Sequence, residues 1–200
     1  MTLSATDKVL GIGLDPVVAQ QVYRAMLQAF SRPGLPQTFP STDFPPALLP
    51  ALALADLETG VAVLEDGSDW LKVLTVATGA PVAVLGEAKY ITALRPPTAD
   101  ELLSAARGTA LSPESASTVI CSVPSLEGGA PVELTGPGVN GTETIAPLGF
   151  DATLRDARSV AVADFPAGID ILLVADDGTV LGLSRTTRTS TPSSRTAQEN

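Results

Sequence analysis

The chain of 200 residues contains no histidine and a single cysteine. The first absence removes the commonest general base, the usual metal ligand and the Ser-His and Cys-His nucleophile pairs. The second leaves Cys121 without an internal disulfide partner, and leaves zinc only carboxylate ligands, an unusual set. Cys121 lies in the apolar run from Ser117 to Val123, where a thiol reads as a small buried hydrophobe rather than a reactive group. Lysine is nearly missing too. Lys8, Lys72 and Lys89 are the only ones, so Schiff-base chemistry with pyridoxal has few carriers. Lys72 stands beside Trp70 and reads as the solvent side of a helix that turns its aromatic inward. No cofactor and no metal are expected.

Positive charge is scarce as well: 12 Lys and Arg against 22 Asp and Glu give a net charge of −10. Nucleic acid and anionic membrane surfaces both call for clustered cations, so neither is an expected partner. The acidity reads as solubility. No apolar run approaches the ~20 residues of a membrane span. Met1 to Lys8 show no signal-peptide pattern, so the expected location is the cytoplasm. Aromatics make up 4% of the chain and the apolar residues 44%. A core built from Ala, Val and Leu is feasible at this length.

The local signals divide the chain into short elements. Asp15-Pro16 opens a helix, with Asp as cap and Pro at the first position. Val18, Val22, Met26, Ala29 and Phe30 fall on one stripe, and Pro33-Gly34 stops it, which predicts a helix from 16 to about 31. Leu35 to Pro46 is Pro-rich and reads as a surface connection. Pro50 to Asp56 reads as a short helix and Val61 to Leu64 as a strand. After an Asp66-Gly67-Ser68 turn, Asp69 is expected to cap a helix through Thr75. Pro81 to Leu85 and Lys89 to Ala93 read as strands joined at Gly86. Thr98 and Glu101 form a capping box, starting a helix that ends before Gly108. Ser117 to Val123 and Pro131 to Thr135 read as strands joined by a Gly128-Gly129 turn, and Asp151 to about Ser159 as a helix. Ile169 to Ala175 and Thr179 to Ser184 flank Asp177-Gly178, a hairpin signal. The expected fold is α/β, a mixed β-sheet with helices packed against it. It forms a single domain over residues 1–189, with a disordered tail from 190 to 200 that holds no large apolar side chain.

Gly136-Pro-Gly-Val-Asn-Gly141 matches the dinucleotide-binding fingerprint letter by letter. No helix signal follows it, however, so a plain loop is the expectation. Carboxylates are numerous, but their spacing singles out no acid–base pair. Three features stand out. Arg24 lies among apolar residues on the first helix. Asp170 interrupts the run from Gly168 to Val174. Arg185, Thr186, Thr187 and Arg188 end the last strand with two cations and two hydroxyls, a set suited to an anion or to partner docking. A two-residue loop at Asp177-Gly178 would set Asp170 opposite Arg185 as a structural ion pair. A three-residue loop would offer Asp170 Ser184 instead.

An ordered set of motifs resembles the PhnH family, a subunit of the bacterial carbon–phosphorus lyase machinery for phosphonate use. It comprises Tyr23-Arg24, Ser31 to Gly34, Leu54 to Thr59, Thr78 to Pro81, Gly108 to Glu114, Leu134 to Gly138, Phe165 to Asp170 and Arg185 to Thr187. Phe30, where Met is expected, and Ser184, where Pro is common, depart from the pattern. The resemblance implies a reduced pyridoxal-dependent-transferase-like fold without the cofactor. It also implies a homodimer and association with PhnG, PhnI and PhnJ type subunits. Its implied role is that of a non-catalytic subunit needed to form ribose 1-phosphonate 5-triphosphate from a nucleoside triphosphate and a phosphonate. No turnover by the chain alone is expected. The competing reading is a stand-alone protein or enzyme that binds a nucleotide, phosphonate or other phosphorylated ligand through Arg24, Arg185 and Arg188.

Overall fold

A computed structural model describes residues 11–192. Regular structure starts at Asp15, whose carboxylate accepts from the Val17 amide at 2.8 Å. Helix α1 then runs Pro16–Ser31 and buries Val22, Met26 and Ala29. Strand β1 (Gln37–Thr38) follows. It pairs antiparallel with a strand near the far end of the chain, through Gln37 opposite Val180. The segment expected to run over the surface is therefore a sheet edge, and Phe39 and Phe44 are buried beside it. Pro36, Pro40, Pro45 and Pro46 suppress the strand signal, yet a two-residue edge strand needs few ladder donors.

A 3₁₀ turn at Pro46–Leu48 leads into α2 (Leu49–Leu54). Strand β2 (Val61–Leu64) precedes α3 (Trp70–Thr78). Asp69 occupies the cap position of α3, but its side chain makes no capping bond. Glu65 fills that role from a distance: its carboxylate accepts from the amides of Trp70 at 3.0 Å and Leu71 at 3.1 Å. Of the two strands expected next, only β3 (Tyr90–Ala93) forms. The stretch 81–85 touches the sheet through a lone bridge between Val61 and Val82.

Helix α4 (Ala99–Leu103) carries the capping box, with both reciprocal bonds present. Arg95 grips the same Glu101 at 2.6 Å. Chiefly that hydrogen bond, and then the Thr98 amide, hold the Glu101 carboxyl at about 2 against an ordinary 4.5. A depressed folded value means a stabilising contribution that is complete above about pH 4.5 and lost as the pH falls toward 2. Glu101→Gln should therefore cost on the order of 1 kcal/mol at neutral pH, since the pair is partly solvated. The gap from the parent should close on acidification. Denaturant melts at neutral and acid pH check this, and a gap that persists in acid would contradict it.

Strand β4 (Thr118–Val123) is followed at once by β5 (Ser125–Thr135), then β6 (Glu143–Leu148), α5 (Ala152–Ala161), β7 (Asp170–Ala175), β8 (Thr179–Leu183) and β9 (Arg188–Ser190). Gly128 and Gly129 are not a turn but lie inside the 11-residue β5, where the register shifts against β6. A Cβ on Gly129 would collide with the Pro147 carbonyl oxygen. These glycines thus permit a bulge and a close backbone approach.

The main sheet has the order β1-β8-β7-β4-β3-β2, with β2, β3, β4 and β7 mutually parallel and β8 antiparallel to β7. Its central strands are buried on both faces, as parallel strands demand. Val119, Cys121, Ile171 and Leu173 point to one side, with α4, α5 and the small sheet β6-β5-β9. Ile120, Leu172 and Val174 point to the other, with α1, α2 and α3. The expected mixed α/β architecture is the one found. Cys121 is buried, and burial pushes its thiol up to about 12, so it packs as a hydrophobe. Among the described residues no helix is long and apolar enough to cross a membrane. The expected tail begins too early, because Ser190 pairs with Glu133 in the small sheet. The rest of that expectation, from 193 on, lies outside the described residues.

Candidate functional site

The β7–β8 hairpin sets the site. Ile171 faces Leu183 and Val174 faces Val180, a register one residue off that of a two-residue loop. Asp176, Asp177 and Gly178 form the longer loop, closed by the Gly178 amide on the Ala175 carbonyl at 2.9 Å. Gly178 takes φ +85°, which only glycine adopts freely. Asp170 and Arg185 nevertheless meet. Arg185 stands just beyond the strand end and reaches back diagonally, with Nη2 2.6 Å from Asp170 Oδ2 and Nε 3.3 Å from Oδ1. The Arg185 amide adds a bond to Oδ1 at 2.7 Å. Nη1 of the same guanidinium donates to the carbonyls of Pro113 at 2.8 Å and Pro166 at 3.2 Å. Arg185 is thus a clamp that ties the Pro113 and Pro166 segments to strand β7, and its donors are nearly all committed.

Ser184, Thr186 and Thr187 form a hydroxyl cluster, with Ser184 Oγ 2.9 Å from Thr186 Oγ1 and 3.0 Å from Thr187 Oγ1. Thr187 is buried and Arg188 exposed. Arg188 opens β9 and pairs with Thr135 of β5, so the segment is built structure rather than the start of a tail.

Between this segment and α5 lies a cleft of about 680 Å³, lined in part by Arg158, Val162, Phe165, Thr186 and Arg188. Pro137 also lines it. The Gly136–Gly141 loop that carries it joins β5 to β6, and no helix starts there. Its glycines are steric. A Cβ on Gly138 would collide with the Ser31 carbonyl oxygen, and one on Gly136 would sit 2.8 Å from that of Thr186.

Arg158 is the site residue that the sequence reading missed. It is 1% exposed, in a helical stripe with Leu154, Ala157 and Ala161. Its Nη2 donates to the carbonyls of Ser184 at 2.7 Å and Thr187 at 2.9 Å. Its Nε is buried with no partner. Burial pulls its pKa down to about 10, so it stays charged at neutral pH. The available signal is phase: position 158 falls on the apolar face of α5, where an Arg is out of place. Arg24, by contrast, is exposed on α1 and does not line the cleft. The structure therefore brings together Arg185, Thr186, Thr187 and Arg188, adds Arg158, and leaves Arg24 apart. Among the described residues no group of three or more Cys, Asp or Glu side chains is placed to hold a metal ion.

Residues 13–190 match the family described as "Bacterial phosphonate metabolism protein (PhnH)". The chain belongs to the PhnH family. It is 33% identical over 188 residues to the Rhizobium meliloti protein named alpha-D-ribose 1-methylphosphonate 5-triphosphate synthase subunit PhnH, covering 89% of this chain and 94% of that one. It is 30% identical over 163 residues to a Stutzerimonas stutzeri protein named putative C-P lyase subunit protein HtxG, covering 78% of each. The match to the PhnH family spans the hairpin, α5 and the cleft, so the family membership and the candidate site rest on the same stretch of chain.

Proposed function

We propose that this chain is one subunit of a carbon–phosphorus lyase assembly, needed to form ribose 1-phosphonate 5-triphosphate from a nucleoside triphosphate and a phosphonate. The observation that carries this is the near full-length similarity to a relative named as a subunit of that synthase. The subunit is non-catalytic. Its chemistry favours holding over turnover, since there is no histidine and the lone thiol is buried and protonated. Asp170 is tied up by Arg185. The polypeptide works in the cytoplasm, as a homodimer beside PhnG, PhnI and PhnJ type subunits. Its sheet is a reduced pyridoxal-dependent-transferase-like fold without the cofactor, and neither described lysine is placed as an anchor for one. Lys72 is in solvent, and the Lys89 amine is engaged by backbone carbonyls such as that of Ala116 at 2.9 Å.

Co-expression with tagged PhnG, PhnI and PhnJ type subunits tests the reading. The chain should co-purify in fixed proportion, and omitting it should abolish phosphonate-dependent consumption of nucleoside triphosphate. Recovery of a fully active complex without it would overturn the proposal.

A further inference from the structure

We infer that the cleft between α5 and the 184–189 segment binds a tetrahedral oxyanion, phosphate or phosphonate, carried on a small molecule. Arg158 is the decisive residue. A guanidinium 1% exposed, with a bare Nε and no carboxylate within ion-pair distance among the described residues, is a buried cation offset only in part, by the field of an Asp170 carboxylate that is itself bonded to Arg185. Its Nη2 fixes the backbone of Ser184 and Thr187, which in turn sets the wall that carries Thr186 and Arg188. No side chain of the described fold pairs with it, and it lines an open cleft. An anion entering that cleft would supply the missing charge.

Polar side chains line the cleft from more than one element. Arg158 approaches from α5 and Arg188 from β9, with Thr186 on the same wall. A flat carboxylate accepts in one plane, whereas a phosphoryl or phosphonyl group offers three oxygens to donors on several sides. Val162 and Phe165 line the remaining part, giving an organic substituent an apolar contact. A volume of about 680 Å³ suits a small ligand. General basicity cannot account for the cluster, because the chain carries a net charge of −10. The oxyanion follows from the cleft alone. That its natural carrier is a phosphonate or a phosphate ester of the synthase reaction rests on the subunit reading above.

The test is calorimetry and thermal melting of the full chain with inorganic phosphate, inorganic pyrophosphate and methylphosphonate, each at matched ionic strength. Saturable binding and a raised Tm are expected with at least one. Arg188→Ala should keep the unliganded Tm and weaken binding by about tenfold or more, the loss of one charge-assisted bond. Arg158→Lys should weaken it likewise. If that variant fails to fold, Arg188→Ala carries the test. A preference for methylphosphonate over phosphate would assign the phosphonate as occupant, and the reverse a phosphate ester. Either supports the site. No binding of any probe at millimolar concentration overturns it, as does binding unchanged in both variants, or a cleft filled only by an acidic peptide of a partner. If the chain still assembles with its partner subunits while binding no anion, the cleft site falls and the subunit role stands. Anion binding without assembly would sink the subunit role and keep the site.

Discussion

Replacing Arg185 with alanine should lower the unfolding free energy by about 3 kcal/mol, the low end of the cost of stranding one member of a buried ion pair. The geometry gives the reason. The guanidinium makes two bonds to Asp170 and two to the carbonyls of Pro113 and Pro166. Without it the Asp170 carboxylate keeps only the amide of residue 185. The low end applies because the side chains are still 16% and 23% exposed, so water screens part of the loss. For a chain of this size each kcal/mol moves Tm by roughly 2–4 °C, so a drop of about 6–12 °C is expected. Arg185→Lys should recover little, since a point charge cannot reach two carboxylate oxygens and two carbonyls at once. Thermal and denaturant melts decide the matter. An unchanged melt would show that Arg185 is not part of the frame and would return it to the set of docking residues.

How Asp170 finds Arg185 shows what is legible in a sequence and what is not. The residue types are informative, because a carboxylate within an apolar strand requires a partner and a strand-end Arg can supply one. The route is not. The choice between a two-residue and a three-residue loop at Asp177-Gly178 changes the register by one and leaves all composition signals intact. The strong helical patterns are legible for the same reason that they fold: periodic burial and caps act within a few residues. Glu65 capping α3 from outside the helix and β1 pairing with β8 depend on the chain meeting itself beyond the reach of a local pattern. Arg158 lies between these cases. Its place on the buried stripe of α5 is visible in the spacing, but its significance rests on Ser184 and Thr187, 26 and 29 residues on.

Gly182→Ala should cost about 3 kcal/mol or more and move the unfolding midpoint accordingly. Gly182 lies in β8, opposite Leu172 of β7 and against helix α1. A Cβ there would sit 2.6 Å from the Ala29 carbonyl carbon, 2.7 Å from its oxygen and 2.7 Å from the Phe30 nitrogen. All three atoms are backbone, so no side-chain rotamer relieves the clash. Either α1 lifts off the sheet or β8 bows away from it. In the first case Val22, Met26 and Ala29, now buried against this face, lose packing. In the second, β8 loosens between β7 and β1, and the Asp170–Arg185 clamp at its end shifts with it. The glycine is the odd member of the apolar run Val180 to Leu183, and a glycine inside a strand marks close backbone approach. What approaches it becomes clear only with α1 placed over the strand. Circular dichroism melts of Gly182→Ala beside Ala29→Gly/Gly182→Ala separate a backbone clash from a side-chain one. Removing the Ala29 methyl leaves the backbone clash in place, so the double variant should gain nothing over the single. Near-parental stability of Gly182→Ala would mean that α1 sits farther from β8 than these contacts require.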